Sequence, residues 1–346
     1  FGLVSLMFLD TSINMAMQPF KMMVGDMVNE KQKGLAYSIQ SFLCNAGSLV
    51  GFLFPFIFTW IGISNIAPQG VVPDSVIYSF YIGAAILILC VIYTTVKVKE
   101  MPPAEYAEYH GITEEEKKEK INMVKLLVKA PKAFWTVGLV QFFCWFAFMF
   151  MWTYTNGSVA ANVFDAPTVE TVVNGASKVV LDTKSIQYQN AADWVGVLFA
   201  VQAIGSVLWA VCIPLFKNRK QIYSLSLVLG GIGFISTYFV HNQYVLFISF
   251  LLIGCAWAAM LALPFTILTN ALSGGHMGTY LGLFNGTICI PQIVAATLGG
   301  SILALFTPKG MLPPEINMLV MAGVMLIIGA VCVYLIKETK GEQAKA

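Results

Sequence analysis

The stretch LDTSINMAMQPFKMMVGD, residues 9–26, is apolar enough for a membrane helix, yet it carries Asp10, Asn14, Gln18, Lys21 and Asp26. The composition around it decides which solvent it meets. Hydrophobic residues make up 58% of the 346-residue chain and charged residues 11%, against about 25% charged in an ordinary soluble domain. A chain this apolar must show its surface to lipid. In lipid a helix satisfies its own backbone groups, so the expected class is an all-α membrane protein. One charge at the centre of such a helix costs about 2.5–3.5 kcal/mol on insertion scales. Three ionisable residues in one helix therefore need a reason.

The helical period supplies one. Asp10, Asn14, Gln18 and Lys21 follow i, i+4, i+8 and i+11, so they share one narrow stripe, which is expected to face a bundle interior. Pro19 removes a backbone donor and is expected to kink the helix. Asp10 and Lys21 are separated by roughly 16 Å of helix rise, so they do not neutralise each other. Asp10 has two readings: a carboxyl that cycles between protonated and ionised forms, as a proton-coupled carrier requires, or an acid paired with a base elsewhere. Lys21 either contacts substrate or extends its stem to the membrane edge. Asp26, at that edge, reads as a structural or gating contact.

Working outward, nine apolar runs of membrane length lie between residues 1 and 336. Two connections are long. Residues 97–132 are charged in both signs and read as a linker between two helix bundles; residues 156–192 are polar with β-branched patches and read as a small hairpin, or as a segment over the mouth. Positive charge is one-sided. Lys31, Lys33, the lysines of the linker, then Lys217, Arg219 and Lys220, then Lys337, Lys340 and Lys345 all fall on alternate connections, with only Lys178, Lys184 and Lys309 opposite them. Cytoplasmic loops carry such an excess. The linker and the 337–346 tail are thus cytoplasmic, 156–192 is extracytoplasmic, and Phe1 lies outside.

Three helices then precede the linker (1–96) and six follow it (133–336). A six-plus-six bundle with a cytoplasmic linker is the plan of major facilitator transporters, so nine of an expected twelve helices are present, with the first three missing. The remaining candidates are amides and aromatics within the runs. Gln40, Asn45, Asn156, Gln202, Asn285 and Gln292 offer hydrogen bonds, and Trp145, with Trp152 nearby, offers an aromatic face, the pairing that sugar recognition uses. Pro291 reads as a second kink. Gly47 with Gly51, and Gly278, Gly282 and Gly286, have the spacing of close helix contacts. The seven cysteines lie scattered in apolar runs and read as packing residues. No cofactor or metal is expected, nucleic acid is not a partner, and no enzyme motif is present.

Three segments resemble the glycoside–pentoside–hexuronide:cation symporter group, in its proton-coupled sucrose and disaccharide branch. Asp10, Asn14, Pro19, Lys21 and Asp26 are similar to that family's fourth helix, with Gln18 offset by one place and Lys21 where the family has Arg. WAAMLALPFTILTNALSG (257–274) and GTYLGLFNGTICIPQIVA (278–295) resemble its tenth and eleventh helices, with Trp257, Pro264, Gly282, Asn285, Pro291 and Gln292 in place. QFFCWFAFMFMWTYTNG (141–157) resembles its seventh, with Thr153, Thr155 and Asn156 where plant members carry acids. The resemblance implies proton–sugar symport of a sucrose- or maltose-type glucoside by a monomer in a bacterial inner membrane. A sodium-coupled symporter, a uniporter of the same fold and a non-transporting membrane sensor are the alternatives.

Overall fold

Each of the nine apolar runs forms a helix. The computed structural model describes residues 2–29, 32–63, 72, 74–100, 102, 104–105, 108, 123–173, 176–272, 277–308 and 310–336. Its helices are α1 (Gly2–Met27), α2 (Lys33–Trp60), α3 (Asp74–Lys97), short α4 (Met123–Val128), α5 (Lys132–Asn162), α6 (Ile186–Cys212), α7 (Arg219–Ser236), α8 (Leu246–Ala271), α9 (Met277–Phe284), α10 (Gly286–Phe306) and α11 (Ile316–Cys332). The run expected over 277–306 is therefore broken once, at Asn285, which nevertheless keeps helical φ and ψ of −59° and −25°. Six segments among the described residues are long and apolar enough to cross a membrane: Asp74–Lys97, Lys132–Asn162, Ile186–Leu215, Leu246–Thr269, Gly278–Phe306 and Ile316–Leu335. Helices α1, α2 and α7 are also long; α1 and α7 carry polar residues along their length. Half of the 97–132 linker, with Lys117, Lys118 and Lys120, and all of the 337–346 tail, with its lysines, lie outside the described residues.

The hairpin expected between residues 156 and 192 is present. Strands β1 (Thr168–Val173) and β2 (Ala176–Leu181) pair antiparallel, Thr168 opposite Leu181. A two-stranded sheet is marginal alone in water; here Phe164, Leu181 and Tyr188 pack onto the helix core below it.

Helix α5 is the centre of the core. Val137, Val140, Gln141, Cys144, Ala147, Phe148, Met151, Thr155 and Ser158 are all at most 1% exposed, and α5 contacts α6, α8, α10 and α11. Helix α2 joins α1 and α3 to this body. Its buried stripe, Tyr37, Ser38, Ser41 and Asn45, recurs at helical spacing and turns toward α8: Tyr37 stacks on Phe265 at 6.2 Å, and Ser41 donates to the Ala258 carbonyl at 3.3 Å.

Without water to drive them together, membrane helices gain by close van der Waals approach. The glycines that allow it are not the pairs expected. A Cβ built at Gly47, Gly51 or Gly282 meets nothing within 4 Å, and one at Gly286 meets only Ile290 at 3.9 Å. The close crossings use Gly205 and Gly254 between α6 and α8, and Gly231 and Gly323 between α7 and α11. At the first of these, Ser206 Oγ donates to the Gly254 carbonyl at 2.8 Å. The expected GxxxG pairs do not make these crossings, because spacing along one helix does not specify which face meets a neighbour.

Candidate functional site

Successive contacts run from α1 to α2, α2 to α8, α8 to α5, α5 to α10, α10 to α9 and α9 back to α1. This ring of helices holds most of the residues singled out in the sequence. Helix α1 runs through Pro19 without a break. Asp10 is exposed and Asn14 half-buried. Asn14 Nδ2 donates to the Asp10 main-chain carbonyl at 2.9 Å, which leaves the carboxylate itself uncommitted. No base pairs with it among the described residues. The side chains of Gln18, Lys21 and Asp26 lie outside the described residues.

On α10, Asn285 Nδ2 points to Cys289 Sγ at 3.8 Å, while Asn285 Oδ1 is buried without a partner. Pro291 is buried one turn on, beside half-buried Gln292. On α2, Asn45 is fully buried and donates to the Ser41 carbonyl at 2.7 Å and the Ser41 hydroxyl at 3.3 Å. Its Oδ1 and the Nε2 of half-buried Gln40 have no partner. Most buried polar side-chain atoms in folded proteins are paired, so these orphaned atoms on ring helices mark positions where a further polar group is expected.

On α5 and α8, Trp145, Trp152 and Trp257 form a three-ring cluster. Ring centroids are 5.8 Å apart for Trp145–Trp257, 5.7 Å for Trp152–Trp257 and 6.4 Å for Trp145–Trp152. Such separations are those of aromatic rings in direct contact, so no ligand sits between them. Trp145 is only 9% exposed, with its indole N–H buried and unpaired, whereas Trp152 is 44% exposed. The open face of the cluster therefore belongs to Trp152. Trp145, singled out from the sequence, stands behind it.

Two predicted residues are engaged with α6 or lie on it, away from the other candidates. Asn156 Nδ2 donates to Tyr188 Oη at 2.9 Å, joining α5 to α6. Gln202 is buried at the α6–α8 crossing, its main-chain carbonyl against Gly254.

One carboxylate escaped the sequence reading. Glu315 stands just before Ile316–Leu335 and lies against Gly157 of α5, where an added Cβ would overlap its Oε2 and stand 2.8 Å from its Oε1. No cation meets it among the described residues. Burial pushes its pKa up from 4.5 to about 7. Between those values the folded chain holds a proton that the unfolded chain has released. The stability contributed by this carboxyl is therefore complete below pH 4.5 and is lost as pH rises to about 7. Between about pH 5 and about pH 8 the melting temperature in detergent is expected to fall, and Glu315→Gln is expected to flatten that slope. A slope unchanged by the substitution would place the titrating group elsewhere.

The profile of the Major Facilitator Superfamily matches residues 3–181 and 167–346. No curated protein matches the chain in sequence. Among solved structures, FucP, a Major Facilitator Superfamily transporter in the outward conformation, superposes with a TM-score of 0.64 at 13% identity, over 94% of this chain and 72% of that one. A structure of the E. coli fucose:proton symporter FucP superposes with a TM-score of 0.59 at 12% identity, over 92% and 72%. At this identity the likeness concerns the fold. Two profile matches that together take in nearly every residue, and helices suited to crossing a bilayer several times, make this chain a multi-pass integral membrane protein belonging to the Major Facilitator Superfamily.

Proposed function

We propose that the chain is a secondary active transporter that carries a sugar together with a proton by alternating access. The observation that carries this reading is Asp10: an acid in the 26-residue helix α1, exposed and without a base partner among the described residues. Intramembrane carboxyls of this kind mark ion and proton pathways. In this reading α1–α3 belong to one half of the transporter and residues 133–336 to the other, joined by the cytoplasmic linker 97–132. The two halves rock about a site near the midplane. Asp10 takes a proton from outside, the sugar binds beside it, and both leave inward. A fucose:proton symporter among the structural neighbours and the resemblance to disaccharide symporters both favour a sugar; the latter favours a sucrose- or maltose-type glucoside and a bacterial inner membrane.

The proposed sugar contacts are the candidates on the ring helices. A pyranose presents C–H bonds on one face, which suits the open face of Trp152. Asn14, Gln40, Asn285 and Gln292 supply hydrogen bonds around the ring, and Gln18 and Lys21 belong to the same stripe of α1. Trp152→Ala is expected to raise the half-saturation concentration about tenfold, the equivalent of about 1.4 kcal/mol, with little change in protein yield. Unchanged half-saturation would remove Trp152 from the binding surface.

The deciding experiment is uptake of a panel of radiolabelled sugars into proteoliposomes under an imposed pH gradient, repeated with a proton ionophore and with sodium in place of the gradient. Accumulation of a glucoside that the ionophore abolishes is the expected result. Accumulation that follows sodium, or equilibration with no accumulation for any sugar, would overturn proton coupling.

A further inference from the structure

Helix α11 leaves one stripe open to the surroundings. Asn317, Val320, Met321, Val324 and Met325 recur at i, i+3, i+4, i+7 and i+8 and line a groove of about 580 Å³. Tyr238 and Phe239, just past the end of α7, line it from one side, and Phe306, the last residue of α10, lines it from another. That volume falls in the range of ligand pockets. Tyr238, Phe239, Phe306 and Val324 are 42–73% exposed, which in a membrane protein means exposed to lipid. The groove sits at the end of the bundle away from the linker. Glu315, just before α11, meets Gly157 near the end of α5, and only at Gly329 does the helix reach Phe143. From Asn317 to Met325 the stripe rises roughly 12 Å, close to the roughly 15 Å of hydrocarbon in one leaflet. Its polarity is graded. Asn317 stands at the first turn of the Ile316–Leu335 span, and the stripe below it is apolar. Neither Asn317 nor Tyr238 makes a side-chain hydrogen bond among the described residues. An amide held at the edge of hydrocarbon without a partner is costly.

We propose that this groove holds one acyl chain of a membrane phospholipid, with the Asn317 amide donating to the ester carbonyl at the head of that chain. The match is one of length and of polarity: a single chain spans one leaflet, apolar along its run and hydrogen-bond accepting at its top. The Tyr238 hydroxyl stands ready to donate to the phosphate or the second ester. Met321 and Met325 supply flexible side chains that adapt to a mobile chain. No residue lining the groove is charged, so recognition is at the ester and does not depend on a charged headgroup. A second copy of this chain would need a projecting apolar ridge and a polar partner for Asn317 at the same depth; a phospholipid carries both in one molecule. The bound chain would fill the space between the ends of α7 and α10. None of this depends on Asp10 or on what is transported.

The test uses the full chain in phosphatidylcholine vesicles doped with phosphatidylcholine that carries a photoreactive diazirine on one acyl chain. After illumination, Met321, Met325 and Phe306 are expected to be labelled about fivefold more than Leu225 on α7 or Val331 on α11, which are exposed outside the groove; that ratio equals a preference of about 1 kcal/mol. Val324→Trp fills the groove and is expected to abolish the excess at Phe306 while leaving Leu225 unchanged. Asn317→Leu keeps the volume and removes the amide; it is expected to lose most of the excess, and Asn317→Gln to keep it. Native mass spectrometry from mild detergent is expected to show one phospholipid retained on the unaltered chain and none on Val324→Trp. Both substituted positions face outward or are half-buried, and the Asn317 pair decides the matter even if Val324→Trp fails to fold. Equal labelling inside and outside the groove would mean that bulk lipid alone passes over it, and would overturn the proposal. So would undiminished excess in Asn317→Leu, or a groove without label whose α11 cross-links to α11 of a second copy.

Discussion

Asp10→Asn is expected to abolish accumulation while leaving exchange. Asparagine is nearly isosteric with a protonated carboxyl and cannot release a proton, so the variant resembles one state of the cycle and never reaches the other. For one proton per sugar, a pH gradient of one unit is worth about 1.4 kcal/mol and supports about tenfold accumulation. In Asp10→Asn that ratio is expected to fall to about one. Exchange of labelled for unlabelled sugar needs no net proton movement and is expected to persist. Measuring both in the same vesicles separates uncoupling from misfolding: a variant that has lost its fold loses exchange too. If sugar is still concentrated in the variant, the carboxyl is a structural acid and the coupling group lies elsewhere.

The largest effect on folding is expected at Gly254. A Cβ there would overlap the Gln202 carbonyl and stand 2.8 Å from the Ser206 nitrogen. Both obstacles are main chain, so no rotamer change relieves them. Gly254→Val has to push α8 away from α6, which costs about 3 kcal/mol by overpacking and also strains the hydrogen bond from Ser206 to the Gly254 carbonyl. The monodisperse yield in detergent is expected to drop several-fold. Gly47→Ala is the contrast. Nothing lies within 4 Å of a Cβ there, and alanine favours the helix by up to about 1 kcal/mol, so yield is expected to hold or rise. Equal yields for the two variants would mean that the α6–α8 crossing is looser than it stands here.

What the sequence made legible were quantities that depend on neighbours along the chain. Helix existence follows from long apolar runs, and the hairpin from β-branched patches between polar residues, so both were readable. The polar stripe of α1 was readable because period alone generates it. Residues whose meaning depends on another helix were not. PPEINM places Glu315 at the first residue of an apolar run, and nothing along the chain shows that Gly157 comes to lie against it. Trp145 and Trp152 are alike in sequence; the position of Trp257 decides which is left open. Asn45 reads as a substrate amide, yet its Nδ2 donates to both the carbonyl and the hydroxyl of Ser41.

The tryptophan cluster gives the protein an optical property of its own. Indoles with centroids 5.7–6.4 Å apart share electronic excitation, so their near-ultraviolet circular dichroism should carry an exciton couplet whose size depends on mutual orientation. Two of the rings ride on α5 and one on α8, both after the linker, so rocking of that half as a rigid body leaves the couplet unchanged, and only a shift of α5 against α8 alters it. A change in the spectrum when sugar is added to unlabelled vesicles would therefore report rearrangement within that half.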